Sequence, residues 1–158
     1  MATVYLALGS NVGDGDQQFD RAIELLMPAL SHVQQAPRYS SKAVGFTDQP
    51  DFLNTVISGE TDLDPKQLLE LTQSVEQHVG RVKRFHWGPR EIDIDIIFYD
   101  NRVIELPDLS IPHPRFSERD FVLKPLKDLS PELVDPLTHN TVKALYDQLS
   151  EDKRSIKD

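Results

Sequence analysis

The segment "HWGPREIDIDIIFYD", residues 86–100, decides the fold because two carboxylates stand at the start of an apolar, β-branched run. Its isoleucines have strong strand propensity. Side chains of a strand alternate between its two faces, so Asp93 and Asp95 point to the same side, with Cα atoms about 6.5–7 Å apart. Two like charges beside apolar residues destabilise each other unless a positive charge lies between them. The segment therefore predicts a strand with either a solvated polar face or a cation site at its beginning.

The two faces of this strand differ in character. Strict alternation puts Phe98 on the face of the even-numbered isoleucines and Tyr99 on the face of the two aspartates. The aspartate face is thus charged only at its beginning, directly after a segment, residues 80–90, that has four cations and no acid. Mg²⁺ is commonly held by one or two carboxylates together with substrate phosphates. This context favours a metal–phosphate site over a solvated face, although a cationic loop that only aids solubility stays an alternative.

Apolar periodicity and helix caps predict the other elements. Asp64 is predicted to cap a helix that starts at Pro65 and ends at Gly80. Asp16 is predicted to cap an earlier helix over residues 17–30. Strands are predicted over residues 3–9, within 33–41, over 53–61 and from the aspartate pair to Tyr99. The resulting order of strand, helix, strand, strand, helix and strand is that of an α+β, ferredoxin-like βαββαβ sandwich with an antiparallel sheet.

The last third of the chain is rich in proline and predicts a different kind of structure. We expect an irregular, partly helical C-terminal extension, with short helices from Glu118 and across residues 141–149. At 158 residues, the whole range 1–158 is predicted to form one domain with its own hydrophobic core.

Composition and missing motifs exclude several classes of function. The chain has no cysteine, which excludes disulfides and thiol nucleophiles. A formal net charge of −9 speaks against non-specific nucleic-acid binding. No stretch approaches the ~20 apolar residues of a membrane span, and the N-terminal apolar run is too short for a signal peptide, so a cytoplasmic location is expected. The glycines match no phosphate-binding loop, and no zinc spacing or nucleophile elbow is present.

Four blocks of the sequence resemble one known family, the 6-hydroxymethyl-7,8-dihydropterin pyrophosphokinases (2-amino-4-hydroxy-6-hydroxymethyldihydropteridine diphosphokinases). The blocks are "ALGSN" at 7–11, "QPDFLN" at 49–54, "GRVKRFHWGPREIDIDII" at 80–97 and "IPHPRFSERDFVLKPL" at 111–126. They follow the order and spacing of the family, and the resemblance extends over nearly the whole chain. The resemblance implies the ferredoxin-like fold. It also implies transfer of pyrophosphate from ATP to the hydroxymethyl group of 6-hydroxymethyl-7,8-dihydropterin, giving AMP and the pterin diphosphate, in folate biosynthesis.

The same resemblance implies roles for individual residues. It implies catalytic roles for Arg81, Arg90, Asp93 and Asp95, and two Mg²⁺ ions held by Asp93 and Asp95. It implies ATP contacts for Gln73, Glu76, Trp87, Ile96, Ser110, His113 and Arg119. It implies pterin contacts for Ser41, Lys42, Val44, Phe52, Asn54, Trp87 and Phe121. Without the resemblance, helical spacing alone predicts that Gln73 and Glu76 belong to an ordinary polar surface, off the core stripe of their helix.

Two other functions share parts of this pattern. A ferredoxin-like binding module without chemistry, such as an RNA-recognition domain, would have the same layout, but the aromatic RNA-binding pattern is missing and the charge is acidic. A Mg²⁺-dependent phosphohydrolase would use an aspartate pair equally well. The expected partners are therefore small molecules, ATP and a reduced pterin, with no nucleic acid and no membrane, and the chain is expected to be a monomer.

Overall fold

A six-stranded antiparallel sheet forms the centre of the molecule, for which a computed structural model describes residues 1–43, 48–80 and 91–157. The strands are paired in the order β5-β1-β4-β3-β8, and β2 also pairs with β4. The strands of this sheet are β1 (Ala2–Ser10), β2 (Ser31–Gln35), β3 (Tyr39–Ser41), β4 (Phe52–Thr61), β5 (Asp93–Tyr99) and β8 (Ile156–Lys157); a separate hairpin consists of β6 (Ile104–Leu106) and β7 (Leu109–Ile111). The helices are α1 (Gly15–Leu26), α2 (Pro65–Val79), α3 (Asp120–Leu129) and α4 (Val142–Asp147), with 3-10 turns at Met27–Ala29, Phe116–Glu118 and Glu151–Lys153.

Helix α2 has the ends that the sequence predicts. Asp64 accepts a hydrogen bond from the Gln67 amide at 2.8 Å, and the Gln67 side chain accepts one from the Asp64 amide at 2.9 Å, which is a complete capping box. Pro65 occupies the first turn, where its missing N–H is not needed. Gly80 ends the helix at φ 107°, a left-handed conformation that glycine adopts without strain.

Helix α1 begins earlier and ends sooner than predicted. Its cap is Asp14, whose side chain accepts from the Gln17 amide at 3.1 Å, so the prediction of Asp16 as the cap is wrong. Asp16 lies in the first turn and pairs with Arg38 at 2.7 Å. The helix stops at Leu26 because Pro28, in the following 3-10 turn, cannot donate to continue it.

Both faces of the sheet are covered, so the molecule has two apolar cores. Helices α1 and α2 cover one face, with Phe19, Leu26 and Leu68 fully buried against β1, β4 and β5. Helices α3 and α4 cover the other face, where Leu123 and Leu126 are fully buried. The extension predicted as irregular is thus the layer that closes the second face. Among the helices of the described ranges, none combines the length and apolar character that crossing a bilayer requires.

A β-bulge in β5 changes which side chains share a face. The pairing of β1 with β5 shifts between Tyr5 and Leu6, so Ile97 has no partner of its own in β1. Ile97 and Phe98 both pack in the core under α3 and α4, whereas Tyr99 packs in the core of α1 and α2. The predicted faces of Phe98 and Tyr99 are therefore exchanged, because one extra residue reverses the alternation beyond it.

Three further elements differ from the expectations. The strand predicted within residues 33–41 is two short strands, β2 and β3, and Pro37 lies between them. The β6–β7 hairpin and β8 were not predicted. The helices predicted from Glu118 and over residues 141–149 are present as α3 and α4, two residues or fewer from the expected starts. These boundary errors arise where a turn or 3-10 segment precedes the regular element.

Asp64→Ala tests the capping box. Loss of a carboxylate cap costs about 1 kcal/mol of the free energy of unfolding, because the Gln67 amide loses its acceptor. Urea denaturation measures this difference. Asp62→Ala is the matched control, since Asp62 is exposed and lies outside the helix, and it should change the free energy of unfolding by less than about 0.5 kcal/mol. Equal losses in the two variants would contradict the capping role.

Candidate active site

The two aspartates of β5 lie on the sheet face that α3 covers. In the register of the sheet, Asp95 is opposite Ala7 and Asp93 is opposite Gly9 of the neighbouring strand β1. Both carboxylates are partly exposed at the beginning of the strand, whereas Ile97 and Phe98 farther along are buried. The charged part of this face therefore begins where the apolar core under α3 ends.

A single row of the sheet connects Asp93 with Asn54 through a glycine. Gly9 is opposite Asp93 on one side and opposite Asn54 of β4 on the other. Two strand spacings therefore separate the first and last Cα atoms of the row, about 9.5 Å. A Cβ atom on Gly9 would lie in ordinary van der Waals contact with Asn54 Oδ1 and Phe52 Cδ1, at 3.7 Å from each, so the glycine leaves the backbone of β1 uncovered between them. Glycine inside a strand often marks close approach of a ligand, a signal that could have added Gly9 to the predicted site.

Glu76 connects α2 with the aspartate strand. Its Oε2 accepts a hydrogen bond of 2.8 Å from the backbone amide of Ile94, the residue between the two aspartates. The residue is only 7% exposed, so the expectation of a polar surface from helical spacing alone is wrong for Glu76. The carboxylate satisfies an amide of β5 on the strand edge that β1 does not pair, and it fixes the position of the strand. Gln73 lies exposed on the same helix, one turn after Leu69.

His113 is a neutral ring beside Asp95. Its Nδ1 accepts from the Arg115 amide at 3.2 Å, which puts the proton of the neutral ring on Nε2, and Nε2 lies 4.0 Å from Asp95 Oδ1. Burial, together with the positive charges of Arg119 and Arg115, lowers the pKa of His113 to about 4, against the opposite effect of Asp93. The backbone amide of His113 donates to the Ile97 carbonyl at 3.2 Å, which attaches this segment to β5. His113 therefore offers a hydrogen-bond donor, and not a positive charge, near pH 7.

A cleft of about 350 Å³ lies next to Asp95. One wall is the β6–β7 hairpin with its turn at Pro107 and Asp108. The alternating "IEL" and "LSI" segments around that turn are a hairpin signal that could have predicted this wall. Four of the predicted site residues line the cleft, namely Asp95, Ile96, Ser110 and His113, together with Leu69, Ile94, Leu106, Pro107, Asp108, Leu109 and Pro114.

A second group of predicted residues meets on β3, β4 and α3. Asn54 is 4% exposed, and its Nδ2 donates to Ser41 Oγ at 2.8 Å and to the carbonyls of Tyr39 and Phe52 at 3.3 Å. Lys42 follows Ser41 and is exposed. At the start of α3, the guanidinium carbon of the N-cap residue Arg119 lies 5.7 Å from the centre of the Phe121 ring, so a predicted ATP contact touches a predicted pterin contact.

The predicted residues of the described ranges thus form two groups, one at each end of the row that passes through Gly9. Asp93 stands at one end of that row and Asn54 at the other. Four predicted site residues, Val44, Arg81, Trp87 and Arg90, lie outside the described residues.

The donor chemistry of the aspartate pair suits a hard cation. Carboxylate oxygens are the preferred protein ligands of Mg²⁺, which usually takes its remaining ligands from phosphates and water. Within residues 1–43, 48–80 and 91–157, no group of three His, Cys, Asp or Glu side chains is close enough to hold a metal by itself. A cation at this pair would therefore depend on oxygens from a substrate.

The similarity to known proteins is high over most of the chain. The model of the family described as 7,8-dihydro-6-hydroxymethylpterin-pyrophosphokinase (HPPK) matches residues 5–131. The 2-amino-4-hydroxy-6-hydroxymethyldihydropteridine pyrophosphokinase of Aquifex aeolicus is 46% identical over 143 residues, which are 90% of this chain and 89% of that protein. This chain belongs to the HPPK family. The predicted family and the predicted pyrophosphate transfer from ATP to hydroxymethyldihydropterin are confirmed at the level of the family.

Other relatives differ in length. The HPPK of Bacillus subtilis is 42% identical, with 79% of this chain and 76% of that protein covered. The folic acid synthesis protein fol1 of Schizosaccharomyces pombe is also 42% identical, but the match covers only 20% of it. A crystal structure of Plasmodium falciparum HPPK-DHPS with pterin and p-hydroxybenzoate has a TM-score of 0.76 at 16% identity and covers 93% of this chain. This chain spans 41% of that longer protein, and the likeness confirms the predicted α+β fold.

Glu76→Ala tests the connection between α2 and β5. Removal of the carboxylate leaves the buried Ile94 amide without its acceptor, which should cost about 1–3 kcal/mol of the free energy of unfolding. Hydrogen exchange of the Ile94 amide, followed by NMR, should become faster. The adjacent exposed residue provides the control Gln77→Ala, for which slow exchange at Ile94 should persist. Unchanged exchange at Ile94 in Glu76→Ala would contradict the connection.

The pKa of His113 predicts how stability depends on pH. In the unfolded chain its pKa is about 6.5, so the unfolded state binds the proton first as the pH falls. In protein free of divalent cations, stability should therefore fall from pH 6.5 to about 4, the folded-state pKa. The NMR titration of the His113 ring should have its midpoint near the lower value. His113→Asn should remove this part of the pH dependence, and exposed His139→Asn should retain it.

Proposed function

We propose that this chain transfers the β,γ-pyrophosphoryl group of ATP to the hydroxymethyl oxygen of 6-hydroxymethyl-7,8-dihydropterin with the help of two Mg²⁺ ions. The observation that carries the proposal is the row Asp93–Gly9–Asn54. It has carboxylates for a metal–phosphate group at one end, a buried amide at the other end and a glycine without a side chain between them. ATP would occupy the cleft beside Asp95 and the pterin would lie near Asn54.

On the ATP side, the residues of this chain bind and orient the triphosphate. Asp93 and Asp95 would hold two Mg²⁺ ions, which when bound supply neutralisation of the phosphate charge. The neutral His113 ring would donate its Nε2 proton to a phosphate oxygen. Ile96 and Ser110 line the cleft and would contact the nucleotide. The remaining proposed ATP contacts are Gln73, Glu76 and Arg119. Glu76 would act mainly by accepting the hydrogen bond of the Ile94 amide, which positions β5.

On the pterin side, a polar group and two aromatic rings are available. The Nδ2 group of Asn54 is engaged by β3 and by the Phe52 carbonyl, so Oδ1 is the atom that would accept from the polar edge of the pterin. Phe52 and Phe121 are both partly exposed and offer faces for ring stacking. Ser41 and Lys42 would provide contacts from the same strand end. Held in this way, the hydroxymethyl oxygen can attack the β-phosphorus, and AMP leaves.

The proposed roles of four residues rest on the family resemblance alone. Arg81 and Arg90 would stabilise charge on the transferred phosphates, a role that suits a planar and permanently charged guanidinium. Trp87 would contact both substrates, and Val44 the pterin. A monomeric state, one domain over 1–158 and a cytoplasmic location stay predictions.

Formation of AMP separates pyrophosphate transfer from hydrolysis. Purified protein, ATP and Mg²⁺ should give AMP only when 6-hydroxymethyl-7,8-dihydropterin is present, in a 1:1 ratio with the pterin diphosphate. Removal of divalent cations with EDTA should stop the reaction, and added Mg²⁺ should restore it. AMP or ADP formed at the same rate without the pterin would instead support a phosphohydrolase.

Asp95→Asn tests the metal-binding role of the aspartate pair. The variant keeps the shape of the side chain but removes one charge, and kcat should fall by more than about 100-fold because charge stabilisation of the transferred group is lost. The apparent Mg²⁺ requirement should rise. Asp100→Asn at the far end of the same strand is the control and should keep kcat within about twofold of the original chain. Full turnover at low Mg²⁺ in Asp95→Asn would refute two-metal binding here.

A further inference from the structure

A second buried carboxylate lies near the pterin side of the site, outside the set of predicted residues. Asp120 is the first residue of α3 and is only 2% exposed. Its Oδ1 accepts from the Ser155 hydroxyl at 2.7 Å, and its Oδ2 accepts from the amides of Ser155 at 2.7 Å and Ile156 at 2.9 Å. A buried charge is costly unless it is well paired. Three charge-assisted bonds to two neighbouring residues therefore indicate a specific attachment.

The attached segment, residues 155–157, is here termed the strap. It forms strand β8 along β3, where Ile156 is opposite Ser41 and Lys157 is opposite Ser40. The Ser155 carbonyl also accepts from the Lys42 amide at 3.0 Å. Strand β3 is therefore held between β4 on one side and the strap on the other.

Strand β3 in turn orients the proposed pterin-binding amide. Ser41 Oγ and the Tyr39 carbonyl both accept hydrogen bonds from Asn54 Nδ2. If β3 moves, these acceptors move with it, and Asn54 Oδ1 changes direction as well. A continuous series of hydrogen bonds thus leads from Asp120 through the strap and β3 to Asn54.

We propose that Asp120 is a positioning residue for the pterin half of the site, acting through the strap and β3 on Asn54. The inference rests on the proposed function and extends it to a residue that contacts neither substrate. Its sequence neighbour Phe121 is a proposed pterin contact, so the carboxylate also joins the strap to the first turn of α3, where this residue lies.

The effect should be selective for the pterin. Helix α3 is fixed by its own buried residues, Leu123 and Leu126, so loss of the Asp120 charge releases the short strap before it releases the helix. The cleft proposed for ATP is formed by β5, the β6–β7 hairpin and the segment with His113, and none of these elements pairs with β8.

Asp120→Asn and Asp135→Asn form a matched pair of variants. Asp135 is also 2% exposed and also accepts from an amide and a hydroxyl, those of Leu137 and Thr138, but in a separate loop. Asp120→Asn replaces one acceptor oxygen by a donor group, and the KM for the pterin should rise about tenfold at saturating ATP. The KM for ATP at saturating pterin should change by less than about twofold. Asp135→Asn should lower stability and leave both KM values unchanged.

Hydrogen exchange provides a readout that does not depend on activity. Amides of residues 39–43 should exchange faster in Asp120→Asn than in the original chain, and at the original rate in Asp135→Asn. If Asp120→Asn does not fold, Ser155→Ala replaces it, since this variant loses only the hydroxyl bond; the same selective changes should then appear, about threefold in the pterin KM.

The outcomes distinguish the two proposals. If the original chain forms no pterin-dependent AMP, the proposed function fails, and hydrogen exchange alone decides whether Asp120 orders β3. Equal rises in both KM values, or a rise in the pterin KM with Asp135→Asn as well, would mean that Asp120 contributes general stability only. Unchanged exchange at residues 39–43 together with an unchanged pterin KM would also overturn the inference.

Discussion

One hydrogen bond that a buried carboxylate accepts attaches the strand of the candidate site to the helix beside it. Among the described residues, strand β5 is paired along one edge, by β1, and on its other edge the amide of Ile94 donates to Glu76. An unsatisfied amide at this position would be costly, because the surrounding residues are buried. Since Ile94 lies between Asp93 and Asp95, the same bond also attaches to α2 the part of β5 that carries both aspartates. Stability of the sheet and geometry of the site are therefore coupled at this residue.

Sequence patterns predicted the elements whose signals are local. The bounds of α2 follow from Asp64, Pro65 and Gly80, because caps and terminal residues act within one turn. The aspartate pair was recognised in the same way, from two-residue alternation. Asp16 was a wrong choice of cap because Asp14 has the same chemistry two residues earlier, and only the backbone geometry separates them.

Features that depend on distant partners could not be predicted. The bulge that exchanges the faces of Phe98 and Tyr99 is a property of the pairing between β1 and β5. The burial of Glu76 depends on an amide 18 residues away, and helical spacing alone gave it no partner. The attachment of Asp120 to residues 155–157 likewise joins segments that no periodicity relates. The sequence pattern predicts which residues belong to the candidate site. The hydrogen bonds that hold these residues in place depend on tertiary contacts, which the pattern does not reveal.

In the proposed function, the glycine at position 9 would influence which acceptor alcohols can react. Backbone pairing fixes the separation of the Asp93 and Asn54 Cα atoms, and Gly9 adds no side chain between them. Neighbouring paired strands keep a nearly constant spacing, so the distance between the two ends of the row, measured along the backbone, is fixed. A hydroxyl group on a longer substituent of the pterin would extend beyond the β-phosphorus of ATP. A hydroxyl group attached directly to the pterin ring would not reach it. The enzyme would then select substrates by the length of this substituent without a side chain that contacts the substituent.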